Sequence, residues 1–382
     1  MYEFKVISPK EPQLWNDLVR NCSKADTYFL EQYCSIYEES YGEEIDEMFQ
    51  GIPLLFFYGN HDEYIIEPFI KRNINVLAFL RGKKEFQQVF DLTSPYGYCG
   101  PIISVNGGMV GQDLNISETL VKGYLQKTEE FCKKENILCA FIRFHPLLKN
   151  QVHFSQFSEK ISCKAMNKTV SIDLTKDIDA IFLSMNKKTR NLIRKAQKNG
   201  VLIEESSNAQ DYEMLTKYYL ETMERNKVRG YYYFPLKYFT TTASKLKGNI
   251  SLYKATYNGV VIATSLFMHY EDIVQYHFSG LNADFRHLAA NNLLIFEVIK
   301  KFKAQGCKTL HLGGGNSSDP DDSLFRFKHG FSDKTHDYHI GKRIFNPKIY
   351  KELSGLKEKY GALVKITGKI NQKSDFFPYY RS

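Results

Sequence analysis

Only 11 prolines punctuate the 382 residues, and no apolar run approaches the roughly 18 consecutive residues that a membrane-spanning helix requires. No transmembrane segment is therefore expected. The seven cysteines are an odd number, and none stands in a CxxC or Cys/His ligand spacing, which argues against a zinc module or a disulfide framework. Cys99, Cys132, Cys139, Cys163 and Cys307 lie mostly in apolar patterns, as reduced, buried cysteines do, so a reducing compartment is expected. No apolar stretch follows the opening Met1-Tyr-Glu-Phe-Lys5, so no signal peptide is read and the expected location is cytoplasmic. Also missing are a Ser/His/Asp arrangement, paired carboxylates and a cluster of metal ligands; no metal is expected. Gly313-Gly-Gly-Asn316 follows a strand but has neither the Lys-Ser/Thr of a P-loop nor the spacing of GxGxxG. What remains is chemistry by positioning two substrates, with an activated acyl donor as the driving force.

What the chain does have is aromatic mass. It carries 26 Tyr and 28 Phe, with 43% hydrophobic and 25% charged residues, as an ordinary globular protein of two domains would. The net charge of +8 suits an anionic partner such as a phosphorylated precursor, RNA or a membrane surface, and falls short of a dedicated nucleic-acid binder.

Periodicity orders the second half around residues 250–331. A hairpin (Ile250–Tyr257, Val260–Tyr270) leads to a third strand, Asp272–Gly280. A helix over Ala290–Ala304 follows, then a strand Thr309–Gly315 and the segment Ser323–Phe331. The first half runs in the same order. Helix 12–21 and a second helical stretch, 31–39, precede the hairpin Ile52–Tyr58 and Tyr64–Ile70; helix 118–135 and strand Leu138–Phe144 close it. The two helix–strand pairs repeat at an offset of roughly 170 residues, so each half reads as one small α/β domain. The boundaries expected are 1–155, 156–345 with a basic helix pair at 178–199, and 346–382 as a lysine-rich helix (347–365) and a loose end. Residues 150–170 read as the joint.

Several stretches carry candidate site residues. In Lys187–Lys198, Arg190, Arg194 and Lys198 fall at i, i+4 and i+8, leaving Leu192, Ile193 and Ala196 for the core; arginine forks suit phosphate or carboxylate. Ser94–Pro101 interleaves Gly97 and Gly100 with Tyr96 and Tyr98, so backbone approaches a ligand beside an aromatic wall. Strict alternation in Tyr276–Gly280 puts Tyr276, Phe278 and Gly280 on one face, His277 and Ser279 on the other. Asn291-Asn292 opens the next helix, whose free N–H groups suit an anion or a polarised carbonyl. Asp319–Ser323 reads as the N-cap of a helix at Leu324. Lys328 is a lone cation between Phe327 and Gly330-Phe331, placed to shift its pKa or steady an oxyanion.

Lys188–Gly200, Tyr276–Asn292, Cys307–Gly315 and Phe327-Lys-His-Gly-Phe331 together resemble FemAB-like transferases; Arg143-Phe-His-Pro146 and Tyr96–Pro101 sit where that family has comparable segments. The resemblance covers most of 160–345 and is weaker before it. It implies two tandem GNAT-like (acyl-CoA N-acyltransferase fold) domains and acyl transfer to an amine of a cell-envelope precursor, with aminoacyl-tRNA the donor in the best-known members. It places precursor phosphates at Arg190 and Arg194, and the transfer site at Lys328. The substrate-binding set is then Tyr96, Tyr98, Arg143, Arg190, Arg194, Ser279 and Asn292, with Lys328, His277 and Tyr276 at the chemistry. Residues 225–235 lack the long helical hairpin of some members, and the first-half segment lacks the arginine of the peptidoglycan enzymes. Similar proteins accompany surface-polysaccharide synthesis, where the acceptor is an amino sugar. Leu281–His287 stands where GNAT enzymes carry their pyrophosphate loop. No tightly bound cofactor is expected; the donor is aminoacyl-tRNA or acetyl-CoA. Two alternatives stay open: an acetyl-CoA-dependent enzyme acting on a nucleotide-linked amino sugar, and a non-catalytic module binding RNA or an anionic lipid headgroup. Peripheral contact with the inner membrane surface is a further expectation.

Overall fold

Two glycine-marked turns fix the register of the long hairpins. Asn258 and Gly259 both adopt positive φ (50° and 78°), the backbone of a two-residue hairpin turn whose twist matches its strands. In the other hairpin, the Asn60 side chain accepts from the N–H groups of Asp62 and Glu63, both at 2.9 Å. The computed structural model describes residues 1–22, 24–105, 117–317, 319, 321–365 and 376–382.

The elements follow in chain order. β1 (Glu3–Ile7), α1 (Pro12–Arg20), α2 (Glu31–Cys34) and α3 (Glu43–Phe49) lead to β2 (Ile52–Gly59), β3 (Glu63–Asn73), β4 (Phe90–Thr93) and β5 (Ile102–Val105). α4 (Glu118–Lys134), β6 (Ile137–Arg143), α5 (Val152–Ser155) and β7 (Ser162–Asp173) come next. α6 (Ile178–Ser184), α7 (Lys187–Lys198), β8 (Leu202–Ser206), α8 (Ala209–Asn226) and α9 (Leu236–Lys245) precede the second hairpin. That hairpin is β9 (Ile250–Tyr257) and β10 (Val260–Tyr270), followed by β11 (Ile273–Leu281), α10 (Ala290–Ala304) and β12 (Thr309–Gly314). α11 (Ser323–His329), β13 (Thr335–Ile344) and α12 (Pro347–Lys365) complete the order.

The chain forms two compact units, Met1–Ala165 with His339–Ser382, and Met166–Tyr338. The first passage between them falls inside the polar stretch 150–170, but within strand β7 and not in a linker. The expected boundaries at 155/156 and 345/346 are therefore displaced, and 346–382 is no separate segment: strand pairing and tail packing assign it to the first unit. The loose end is also corrected over its described part. Tyr380 and Arg381 are buried, because Asp91 beneath them needs cationic and hydroxyl partners; Tyr380 donates to Asp91 Oδ2 at 2.9 Å and Arg381 Nε at 2.6 Å. Residues 366–375 of that tail lie outside the described ones.

In the first unit the strands run β1-β2-β3-β4-β6, with β5 beside β3, and residues 340–344 of β13 pair antiparallel with β6. One face of β6 (Ala140, Ile142) packs under α4, with Leu120, Tyr124 and Leu125; the other (Leu138, Cys139) meets Leu353 of α12 and Tyr380. In the second unit the order is β7-β12-β11-β10-β9-β8. Ala263, Phe267, Val274 and Leu310 pack beneath Leu294, Val298 and Phe302 of α10, with Ile193 and Ala196 of α7. The opposite face carries α8 and α9, where Phe278 stands edge-on to Tyr219, Phe234, Tyr238 and Phe239 at 5.2–5.9 Å. Burying side chains of this size contributes about 1.5–3 kcal/mol each. In both units a strand, a crossover helix and a parallel strand recur (β4-α4-β6 and β11-α10-β12).

Candidate functional site

Parallel pairing between β11 and β12 is brief. It covers Ile273–Gln275 against Thr309–His311; beyond that β11 stays with β10 as far as Leu281, while β12 stays with β7 through Gly313 and Gly314. The two strands part, and their facing backbone edges are no longer paired with each other. At this point β11 carries a bulge: Phe267 lies opposite Tyr276, but Leu266 lies opposite Phe278, so His277 is the extra residue. The bulge reverses the alternation. Tyr276 packs on Phe267 (5.4 Å) on the α10 side, with Ser279, while Phe278 and Gly280 face α8. The expected grouping of Tyr276 with Phe278 is thus wrong, and the structure instead unites Tyr276 with Ser279. Ser265 Oγ donates to Ser279 Oγ at 3.0 Å, both serines bond the Tyr276 hydroxyl, and burial raises the Tyr276 pKa.

Lys328 reaches the parting of the strands from α11. Asp322 caps that helix, accepting from Phe325 N–H at 2.8 Å with one carboxylate oxygen; the other oxygen accepts from Asn316 N–H and Ser317 N–H at 3.0 and 3.1 Å. One carboxylate therefore fixes both the helix start and the loop after β12. A Cβ at Gly315 would sit 2.4 Å from Asp322 Oδ1, so a larger residue there has to displace the capping carboxylate. Lys328 Nζ donates to Gly314 O at 2.7 Å and lies 5.8 Å from the centre of the Tyr276 ring. The side chain is only 8% exposed, and burial pulls its pKa down to about 8, with Asp322 opposing. Beyond it, Gly330 O accepts from Asn186 N–H at 3.0 Å, which docks α11 on the start of α7. His277 is half-buried, and the loss of solvent pushes its pKa down to about 3, so it stays neutral and is a poor proton acceptor near pH 7.

Known proteins are similar to this chain in sequence and in fold. A family model described as an acetyltransferase (GNAT) domain covers residues 184–329, from the end of α6 to α11. The UDP-N-acetylmuramoylpentapeptide-lysine N(6)-alanyltransferase of Weissella viridescens is 26% identical over 190 residues, 48% of this chain. The match spans about half (54%) of that relative's length. The crystal structure of FemX superposes with a TM-score of 0.65 over 91% of this chain and 99% of FemX, at 14% identity. The L-PGS structure from Bacillus licheniformis gives 0.50 over 84% of this chain and 93% of that one, at 11% identity. In fold the chain is similar to FemX, and in sequence to an alanyltransferase and to GNAT acetyltransferases. Its two units are tandem GNAT-like domains.

The loop before α10 spends its N–H groups on its own backbone and side chains. Residues 281–292 contain no glycine, and the Asp284, Phe285 and Ala289 N–H groups already bond Asn282 Oδ1, Asn282 O and Arg286 O. Asp284 adds a negative charge to this loop. Asn292 is buried in the first turn of α10, and the neighbouring Asn291 Oδ1 is buried without a hydrogen-bond partner.

The two arginines of α7 turn toward α6. Arg190 Nη1 donates to Leu183 O (2.5 Å) and Met185 O (3.1 Å), and Arg194 stacks over Phe182 at 5.1 Å. Tyr96, Tyr98 and Arg143 belong to the other unit, where the corresponding strands do not part. Ser94 N–H bonds Phe141 O and Cys99 N–H bonds Arg143 O, so residues 94–99 extend the pairing past the end of β4. Tyr96 O accepts from Tyr33 (2.6 Å), Tyr98 stands edge-on to Tyr28, and Arg143 Nη1 bonds Thr93 Oγ1 and Ser94 O. Sequence reasoning misses Ser265 and the Gly314 carbonyl. A serine inside an apolar strand is the available signal for the first; a backbone acceptor leaves none. No described helix is long and apolar enough to cross a membrane.

Proposed function

We propose that this chain is an N-acyltransferase that moves an aminoacyl group from an activated ester to an amine of a phosphorylated cell-envelope precursor. The observation that carries the reading is Lys328: a buried amine with its pKa near 8, anchored on Gly314 O where β11 and β12 separate, beside a tyrosine held by two serines. The amine nitrogen of the acceptor attacks the donor carbonyl. The Lys328 ammonium donates to the oxyanion that forms, in a site from which water is largely excluded. Collapse makes the C–N bond and breaks the ester C–O bond. The Tyr276 hydroxyl, protonated at neutral pH, gives its proton to the leaving oxygen and recovers one from the attacking nitrogen.

The glycine-free loop before α10 favours an aminoacyl ester of tRNA over acetyl-CoA as donor. The matched relative's name specifies the lysine side chain of a UDP-linked muramoyl pentapeptide, which makes that amine the first acceptor to test. Reaction inside the cytoplasm, at or near the inner membrane surface, fits such a precursor.

The test is transfer of labelled amino acid from charged tRNA to the UDP-linked pentapeptide. Lys328→Ala should lower kcat about 10²–10³-fold and raise the acceptor KM much less. An unchanged kcat removes Lys328 from the chemistry. Transfer from acetyl-CoA, but not from charged tRNA, replaces the donor assignment.

A further inference from the structure

The lysines of α7 take no part in the site described above. This 12-residue helix carries Lys187, Lys188, Arg190, Arg194, Lys195 and Lys198 and no acidic residue, although like charges three or four apart weaken a helix. Its buried face is Thr189, Ile193 and Ala196, and both arginines are engaged with α6. Lys187, Lys188, Lys195 and Lys198 are exposed, and none forms an ion pair with a described acidic residue. Acidic side chains of β8 and α10 serve other lysines: Glu204 with Lys254, Glu205 with Lys301, Glu297 with Lys300. Lys187, Lys188, Asn191, Leu192 and Lys195 border a shallow, open stretch of the helix surface.

We propose that this lysine face docks the phosphate backbone of RNA. From Lys187 to Lys198 the helix rises about 16 Å, so its cations address several phosphates in succession, where a single diphosphate needs donors gathered at one point. Lysines are point charges without the fork geometry of arginine, which suits sequence-independent backbone binding. A membrane-lying helix would set large apolar residues beside its cations; here the exposed centre is Asn191, and Leu192 is half-buried. The proposal deepens the transfer reading in one respect, in that the RNA would be the body of the aminoacyl donor.

The experiment is fluorescence anisotropy of the full chain with deacylated tRNA between 50 and 200 mM salt. Changing all four lysines to glutamine (K187Q, K188Q, K195Q, K198Q) should weaken binding at least tenfold at the lower salt. It should also flatten the log–log salt slope by about 3, at roughly 0.7–0.9 for each phosphate no longer neutralised. Replacing the same four by arginine should restore both, and circular dichroism of each variant checks that the helix persists. Unchanged affinity and slope overturn the proposal. So does lysine-dependent binding to phosphatidylglycerol vesicles with none to tRNA. The two readings fail separately: tRNA binding through α7 without transfer to any acceptor sinks only the transfer reading, and transfer with tRNA affinity indifferent to the four lysines sinks only the docking face.

Discussion

A lysine whose pKa is pulled down to about 8 loses its charge within the working range of an enzyme. If Lys328 acts as a cation, its ammonium is fully present well below pH 8 and disappears as pH rises through that value. The pH profile of kcat should then carry a descending limb centred near 8. Lys328→Arg keeps a charge at all accessible pH, so that variant, though slower, should show no such limb; a limb surviving in the arginine variant would belong to another group. Glu67 gives the opposite experiment, on stability. It is buried, accepts from the Tyr124 hydroxyl, and burial raises its pKa to about 8. A carboxyl raised from 4.5 toward 8 contributes stability that is whole below the lower value and is lost as pH climbs through the higher one, on the order of 3–5 kcal/mol. Glu67→Gln should therefore flatten the fall in unfolding free energy between pH 5 and 8.5, as measured by urea denaturation; an unaltered fall would show that Glu67 is charged in the folded state. The burial of Lys328 is legible in the sequence, because the residue lies between phenylalanines. The shared face of Tyr276 and Ser279 is not, since nothing local to Tyr276–Gly280 announces that a partner strand will force a bulge.

Among elements, the α11 cap shows how one carboxylate can tie chemistry to architecture. Asp322→Ala removes the acceptor for Phe325, Asn316 and Ser317 together, and with it the support for the Gly314 carbonyl that holds Lys328. The expected loss is about 1–2 kcal/mol of stability for the cap and a drop in kcat larger than the change in KM, measured side by side with Lys328→Ala. A stability loss with kcat intact would confine Asp322 to the cap. Elements of this kind are readable in advance: Asp-Ser before an apolar helix start, Asn258-Gly259 between alternating strands, and the amphipathic period of α4 are local signals. The parting of β11 from β12 is a failure of pairing between strands 36 residues apart in register (Gln275 with His311), which local pattern does not encode.

At the scale of the whole molecule, buried charge secures the C-terminal residues to the first unit. Asp91 holds Arg72 Nε at 2.8 Å and Arg381 Nε at 2.6 Å, and the arginines keep its carboxyl below the usual range despite burial. Arg381→Ala should cost about 3 kcal/mol, because it leaves a buried carboxylate with half its compensation. Thermal unfolding at pH 7 checks this, and a loss below ~1 kcal/mol would mean water replaces the guanidinium. The sequence alone suggests a loose tail because an arginine near an end is ordinarily solvated, and its partner lies 290 residues away. The strand that covers β6 has a similar separation: residues 340–344 reach it only after Met166–Tyr338 have been laid down. On a ribosome adding 5–20 residues per second, those intervening residues take roughly 10–35 s. Throughout that interval the nascent chain presents Cys139–Arg143 as a bare strand edge, the kind of surface that recruits chaperones or neighbouring nascent chains, so the pace of translation through the second unit becomes a determinant of how much of the first folds correctly.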